Sequence, residues 1–115
     1  MSLTVNIYYS GIGGNARRFA EEMTSSGLVE AIRAEEGNEK YAYYFPAEDP
    51  DTVLLIDRWR DQAALDAHHK TPMMAQIAVL RKKYNLKMRV ERYVDAPQQK
   101  KKEMPYESER YSFQM

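Results

Sequence analysis

Two histidines stand side by side at positions 68 and 69, inside ALDAHHK. Imidazole is the side chain whose ordinary pKa lies nearest neutrality, so either ring could take or give a proton. Helical phase separates them by about 100°. His68 falls beside Leu65, on the stripe that would face a core, and His69 falls toward solvent. Two readings of His68 stay open: a proton acceptor in a pocket, or a histidine packed under a sheet and hydrogen-bonded to backbone. Adjacent histidines do not converge on one ion. There is no cysteine, and no HxxE or HxxxH spacing, so no metal centre is expected.

Other polar groups sit in apolar company. Asn6 lies mid-strand, sharing a face with Thr4 and Tyr8. Asp57 stands two residues before Trp59 on one strand face. A carboxylate facing inward needs a partner, and a structural ion pair with an Arg or Lys, from this chain or a second copy, is expected. Trp59 offers a flat ring that can wall a cavity or simply fill a core. The stretch YYSGIGGNARRF (8–19) runs from an apolar strand through three glycines into a helix, the layout of a phosphate-cradling loop. Only Ser10 offers a hydroxyl there, and the reading adopted is a turn in which glycine supplies positive φ.

The elements that must carry these groups follow from periodicity. LTVNIYYS (3–10) alternates, with Leu3, Val5, Ile7 and Tyr9 to one side, as a strand does. NARRFAEEM (15–23) sets Ala16, Phe19, Ala20 and Met23 on one helical stripe, with Asn15 as a cap. A second short helix spans 28–36, ended by Gly37. KYAYYFPA (40–47) and TVLLIDRWR (52–60) form a hairpin around the turn EDPD. Asp61 opens a helix over 62–70. Thr71 and Pro72 cap and start another, with Met73, Ile77, Leu80 and Tyr84 inward. The last strand is 86–95. The order β-α-β-β-α-β predicts a ferredoxin-like α+β sandwich over residues 1–95, followed by a polar tail over 96–115. Strand 52–60 is apolar on both faces, with Val53, Leu55 and Trp59 against Leu54 and Ile56. Helices can cover one face only. A second copy is therefore expected on the other, giving a homodimeric α+β barrel. Rings of the tail at Tyr106, Tyr111 and Phe113 are expected to dock, on the partner subunit for instance.

Composition narrows the function classes. Lys+Arg and Asp+Glu each number 17, so net charge is zero and no basic field invites nucleic acid. No apolar run is long enough to cross a membrane, and none follows a basic start; a cytoplasmic protein is expected.

The segment LLIDRWRDQAALDAHHKTPMM (54–74) resembles the antibiotic biosynthesis monooxygenase family, and most closely its small quinol monooxygenases. The resembling features are a strand ending in acidic-x-Trp, a helix with Ala-Leu-x-x-His, and a Ser/Thr before the next helix. RAEEGNEKYAYYF (33–45) is similar to the family's glycine turn and aromatic second strand. The resemblance spans about residues 3–94. It implies a dimeric ferredoxin-like barrel and oxygenation of a quinol or polyphenol by O₂ with no cofactor, the deprotonated substrate supplying the electrons. It further implies His68 as base or phenol partner, Asn6 as a catalytic positioning group, and Trp59, Tyr8 and Tyr43 as substrate-binding residues. The family's usual glutamate is replaced here by Asp57. Rival expectations are a non-catalytic dimeric binder of an aromatic signal and an isomerase of a small carbonyl compound. Haem degradation is disfavoured, since DAHHKTPMMAQIA carries no Trp and no later His follows.

Overall fold

The computed structural model describes residues 1–96. The tail expected over 96–115, with its three rings, lies outside the described residues from position 97 onward. Strands β1 (Leu3–Ser10), β2 (Asn38–Tyr44), β3 (Thr52–Trp59) and β4 (Lys87–Val94) form one antiparallel sheet in the order β2-β3-β1-β4. Helices α1 (Asn15–Ser25) and α2 (Leu28–Arg33) fill the first crossover; α3 (Gln62–His69) and α4 (Met73–Lys83) fill the second. This is the ferredoxin-like α+β arrangement. Among the described residues no helix is long and apolar enough to cross a membrane.

Register decides which side chains meet. Trp59 lies opposite Leu3, Asp57 opposite Val5, Leu55 opposite Ile7 and Val53 opposite Tyr9. All eight point toward the helices, because side chains alternate along a strand. The core they form includes Phe19, Met23 and Ile32 from α1 and α2, each fully buried. Burying a side chain of this size contributes roughly 1.5–3 kcal/mol. The opposite face carries Asn6, Tyr8, Leu54 and Ile56, half-buried within the single chain, and Tyr44, exposed.

Several local expectations are corrected. β2 ends at Tyr44, not 47, because Pro46 has no N–H to give a ladder. α2 stops at Arg33, and the chain then turns through Gly37 at φ +83°. Asn15 does not cap α1; Gly14 occupies that place, and the Asn15 amide donates to the Tyr84 carbonyl at 3.1 Å. Thr71 does not cap α4 either. Its hydroxyl donates to the His68 carbonyl at 2.9 Å and closes α3 instead. The glycine loop is a 3-10 turn with Gly13 and Gly14 at positive φ, as a turn requires. Asp61 does cap α3, accepting from the Ala64 N–H at 2.9 Å.

Gly37 has a second constraint. A Cβ there would stand 2.5 Å from Ala64 Cβ on α3, so the turn into β2 is pressed against that helix. Gly13, at φ +64°, faces open space. Gly13→Ala should cost about 1 kcal/mol for the left-handed backbone alone. Gly37→Ala should cost at least twice that, read by urea unfolding; equal costs would show that the approach to α3 is not tight.

Candidate functional site

Beneath α3 and α4 the sheet leaves a cavity of about 280 Å³. Its floor is apolar, with Val5, Ile7 and Leu55, and Leu65 and Ile77 roof it from the helices. Polar side chains share the lining, among them Asp57, His68, Tyr9 and Arg81, so apolar walls and titratable groups meet in one space, as in a small-molecule site. Edge strand β4 closes the cavity incompletely: Met88 and Val90 line it yet remain 44% and 53% exposed. The opening therefore lies along β4.

His68 is 3% exposed and lines this cavity. Its ring stacks on Trp59 with centroids 4.7 Å apart and 27° between planes. Its Nδ1 lies 2.8 Å from Glu35 Oε2. Glu35 follows α2 and is only partly buried, so His68 is held by a carboxylate supplied from 33 residues upstream. The reading of a histidine bonded to backbone through its ring is thus replaced by one held by a side chain.

Asp57 is 4% exposed and also lines the cavity. The ion pair expected for it is not found among the described residues; it accepts a hydrogen bond from Trp59 Nε1 at 2.5 Å. Burial raises its carboxyl pKa to about 6. His68 and the Trp59 hydrogen bond oppose that rise, and Glu35 adds to it. Tyr9 lies at the far end of the floor, and burial lifts its phenol to about 12 against the pull of Arg81.

The expected site residues divide between two places. His68 lines the cavity. Trp59 is fully buried behind it and supports the imidazole, and it is not among the residues that wall the cavity. Tyr43 faces the helices, but its ring packs edge-on to Phe19 and Tyr41, 6.3 and 5.9 Å away, outside the cavity. Asn6 and Tyr8 point to the other face of the sheet, because they alternate with Val5, Ile7 and Tyr9. Within one chain they do not meet His68. Arg89 lies 4.1 Å above the Tyr8 ring, and Asn6 Oδ1 is buried with no hydrogen-bond partner among the described residues. His69 is exposed, as helical phase predicts, at the cavity rim. Residues that the sequence does not single out are Glu35, Tyr9, Tyr41 and Arg81. Two of them carry a signal: strand phase places Tyr9 with Val5 and Ile7, and Arg81 follows Ile77 by one helical turn. Nothing local ties Glu35 to position 68. Among the described residues no group of His, Cys, Asp and Glu is placed to hold a metal ion.

The family model for antibiotic biosynthesis monooxygenase matches residues 2–79. This chain belongs to that family. Among family-related proteins, "Putative monooxygenase YcnE" of Bacillus subtilis is 34% identical over 47 residues, 41% of this chain. The match spans half of that protein's length. Among solved structures, a "putative antibiotic biosynthesis monooxygenase" from Deinococcus radiodurans superposes with TM-score 0.75 at 18% identity, over 91% of this chain and 100% of the other. SnoaB from Streptomyces nogalater, described as a cofactor-independent oxygenase, gives 0.69 at 10% identity, over 83% of this chain and 93% of its own. At these identities the structural matches establish a shared fold, the one this family member adopts.

The buried carboxyl carries a stability consequence. A folded pKa near 6, above the usual Asp value of 3.8, means the folded state holds the proton more tightly than the unfolded state. Stability from this group is then greatest below pH 4 and falls as pH rises toward 6, by about 3 kcal/mol in total. Asp57→Asn keeps an acceptor for Trp59 and removes the charge. The variant should be the more stable protein at pH 7 and lose that advantage at pH 4, measured by urea unfolding at both values.

Proposed function

We propose that this protein is a cofactor-independent monooxygenase that oxidises a quinol or polyphenol with O₂. The observation that carries this reading is His68: buried, stacked on Trp59, held through Nδ1 by Glu35, and facing an apolar cavity. With the Nδ1–H donated to the Glu35 carboxylate, Nε2 is the lone pair available to a ligand. A phenol in the cavity gives its proton to Nε2. The resulting phenolate is electron-rich enough to react with O₂. One oxygen atom becomes bonded to a ring carbon and the other leaves as water with two hydrogens from the substrate, so a phenol plus O₂ gives a quinone plus water. No external reductant is consumed. The apolar walls keep bulk water from the reacting ring, and Asp57 is a second group able to exchange a proton near neutrality. Family membership and the description of SnoaB as a cofactor-independent oxygenase support this reading.

The working unit we propose is a homodimer, closed by the sheet face opposite the helices. Leu54 and Ile56 give that face an apolar centre, and the unpartnered Asn6 Oδ1 would gain a donor there. Asn6 and Tyr8 then belong to the interface rather than to the chemistry.

Two outcomes test these assignments. Oxygen-electrode assays across a panel of reduced quinols should show catalysed uptake that His68→Ala lowers at least ~100-fold, the scale of a lost proton acceptor; uptake unchanged in that variant refutes the role. Analytical ultracentrifugation should give the mass of two chains, and Ile56→Glu should give one. A wild-type monomer would remove the dimer.

A further inference from the structure

Arg81 and Arg92 both line the cavity, and among the described residues neither is paired with a carboxylate. Arg58 and Arg60 each hold two, and Arg89 holds one. Arg81 Nη1 meets the thioether of Met88 at 2.9 Å, a weak acceptor. Arg92 is engaged by the side-chain carbonyl of Gln62. Arg81 thus has a thioether and the neutral Tyr9 hydroxyl beside it, and no anion, at the edge of an apolar cavity.

The strand register shows where each cation stands. Arg92 lies on β4 at the level of Val5 and Asp57, the end occupied by His68. Met88, which Arg81 touches, lies at the level of Tyr9 and Val53. Four residues separate these levels, or ~13 Å along the sheet. Ile7, Leu55 and Val90 occupy the level between them. The cavity thus runs from a proton-handling end, over an apolar middle, to an end carrying a cation and a hydroxyl.

We propose that the ligand of this cavity is an elongated hydroxylated aromatic acid, with its phenol at His68, its ring over Ile7, Leu55 and Val90, and its carboxylate on Arg81 and the Tyr9 hydroxyl. This rests on the phenol-binding reading above and adds the acidic group to it. Tyr9 suits the part, since its raised pKa keeps the hydroxyl proton in place as a donor. Arg92 does not suit it, because a carboxylate at its level would face Asp57, which lines the cavity there. An acid at the Arg81 end stands further from that carboxylate, whose field still reaches the Tyr9 hydroxyl, and has the Arg81 guanidinium beside it.

The test is calorimetric titration at pH 7.5 with 6-hydroxy-2-naphthoate, whose hydroxyl and carboxylate lie at opposite ends, against 2-naphthol, which lacks the carboxylate. Wild type should bind the acid at least about tenfold more tightly, as a charge-assisted pair warrants. Arg81→Gln should abolish that preference and leave 2-naphthol binding unchanged, Arg81→Lys should retain part of it, and Arg92→Gln should keep it. Thermal unfolding of each variant confirms that the fold is intact. Equal binding of both ligands by wild type overturns the acid subsite and leaves the phenol reading standing. A preference lost in Arg92→Gln but kept in Arg81→Gln also overturns it. Binding of neither ligand overturns this inference and the phenol reading together.

Discussion

The ring of His68 is fixed from two sides, by the face of Trp59 and by the carboxylate of Glu35. Either contact alone would leave a degree of freedom. A stacked ring can still rotate in its plane, and a hydrogen-bonded nitrogen can still swing about its partner. Together they set both the plane of the imidazole and which nitrogen bears the proton. Three separate parts of the chain must be in place for this: the end of β3, the middle of the second crossover, and the turn that follows α2. The rest of the domain can be understood as the scaffold that brings those three parts within contact.

That scaffold works through alternation. A strand shows half of its side chains to each face, so β3 must send Val53, Leu55, Asp57 and Trp59 inward and Leu54, Ile56 and Arg58 outward. The inward set runs from aliphatic Val53 and Leu55 to the hydrogen-bonded pair Asp57 and Trp59 at the strand's end, and the character of the space above it changes accordingly. α1 and α2 pack closely over one half of the sheet and make a filled core. α3 and α4 stand over the other half, where β4 is an uncovered edge, and there the packing is incomplete. The cavity lies beneath those two helices and opens along that edge.

Much of this is legible in the residues alone. The strand and helix order, the inward phase of His68 and the outward phase of His69 follow from period two and period 3.6. Acidic-x-Trp followed by Ala-Leu-x-x-His points to the family that the chain belongs to. Less legible are the facts that depend on distance in space. Trp59 reads equally well as wall or support, because sequence gives its face but not what stands in front of it. Asn6 and Tyr8 stand out as polar groups in an apolar strand, yet their alternation with Val5 and Ile7 already assigns them to the far face. Glu35 is invisible as a partner, since 33 residues and a complete β-hairpin separate it from the histidine it holds. Asp57 suggests an ion pair by charge, and it finds an indole N–H instead.

The turn that carries Glu35 reaches β2 through Gly37, the position with no room for a side chain against Ala64 of α3. The backbone that delivers the carboxylate and the helix that delivers the imidazole are therefore in direct contact, one turn upstream of the histidine. Loosening of α3 would separate the two groups at the same moment as it opened the roof of the cavity. The held imidazole and the enclosed cavity therefore stand or fall as one cooperative unit.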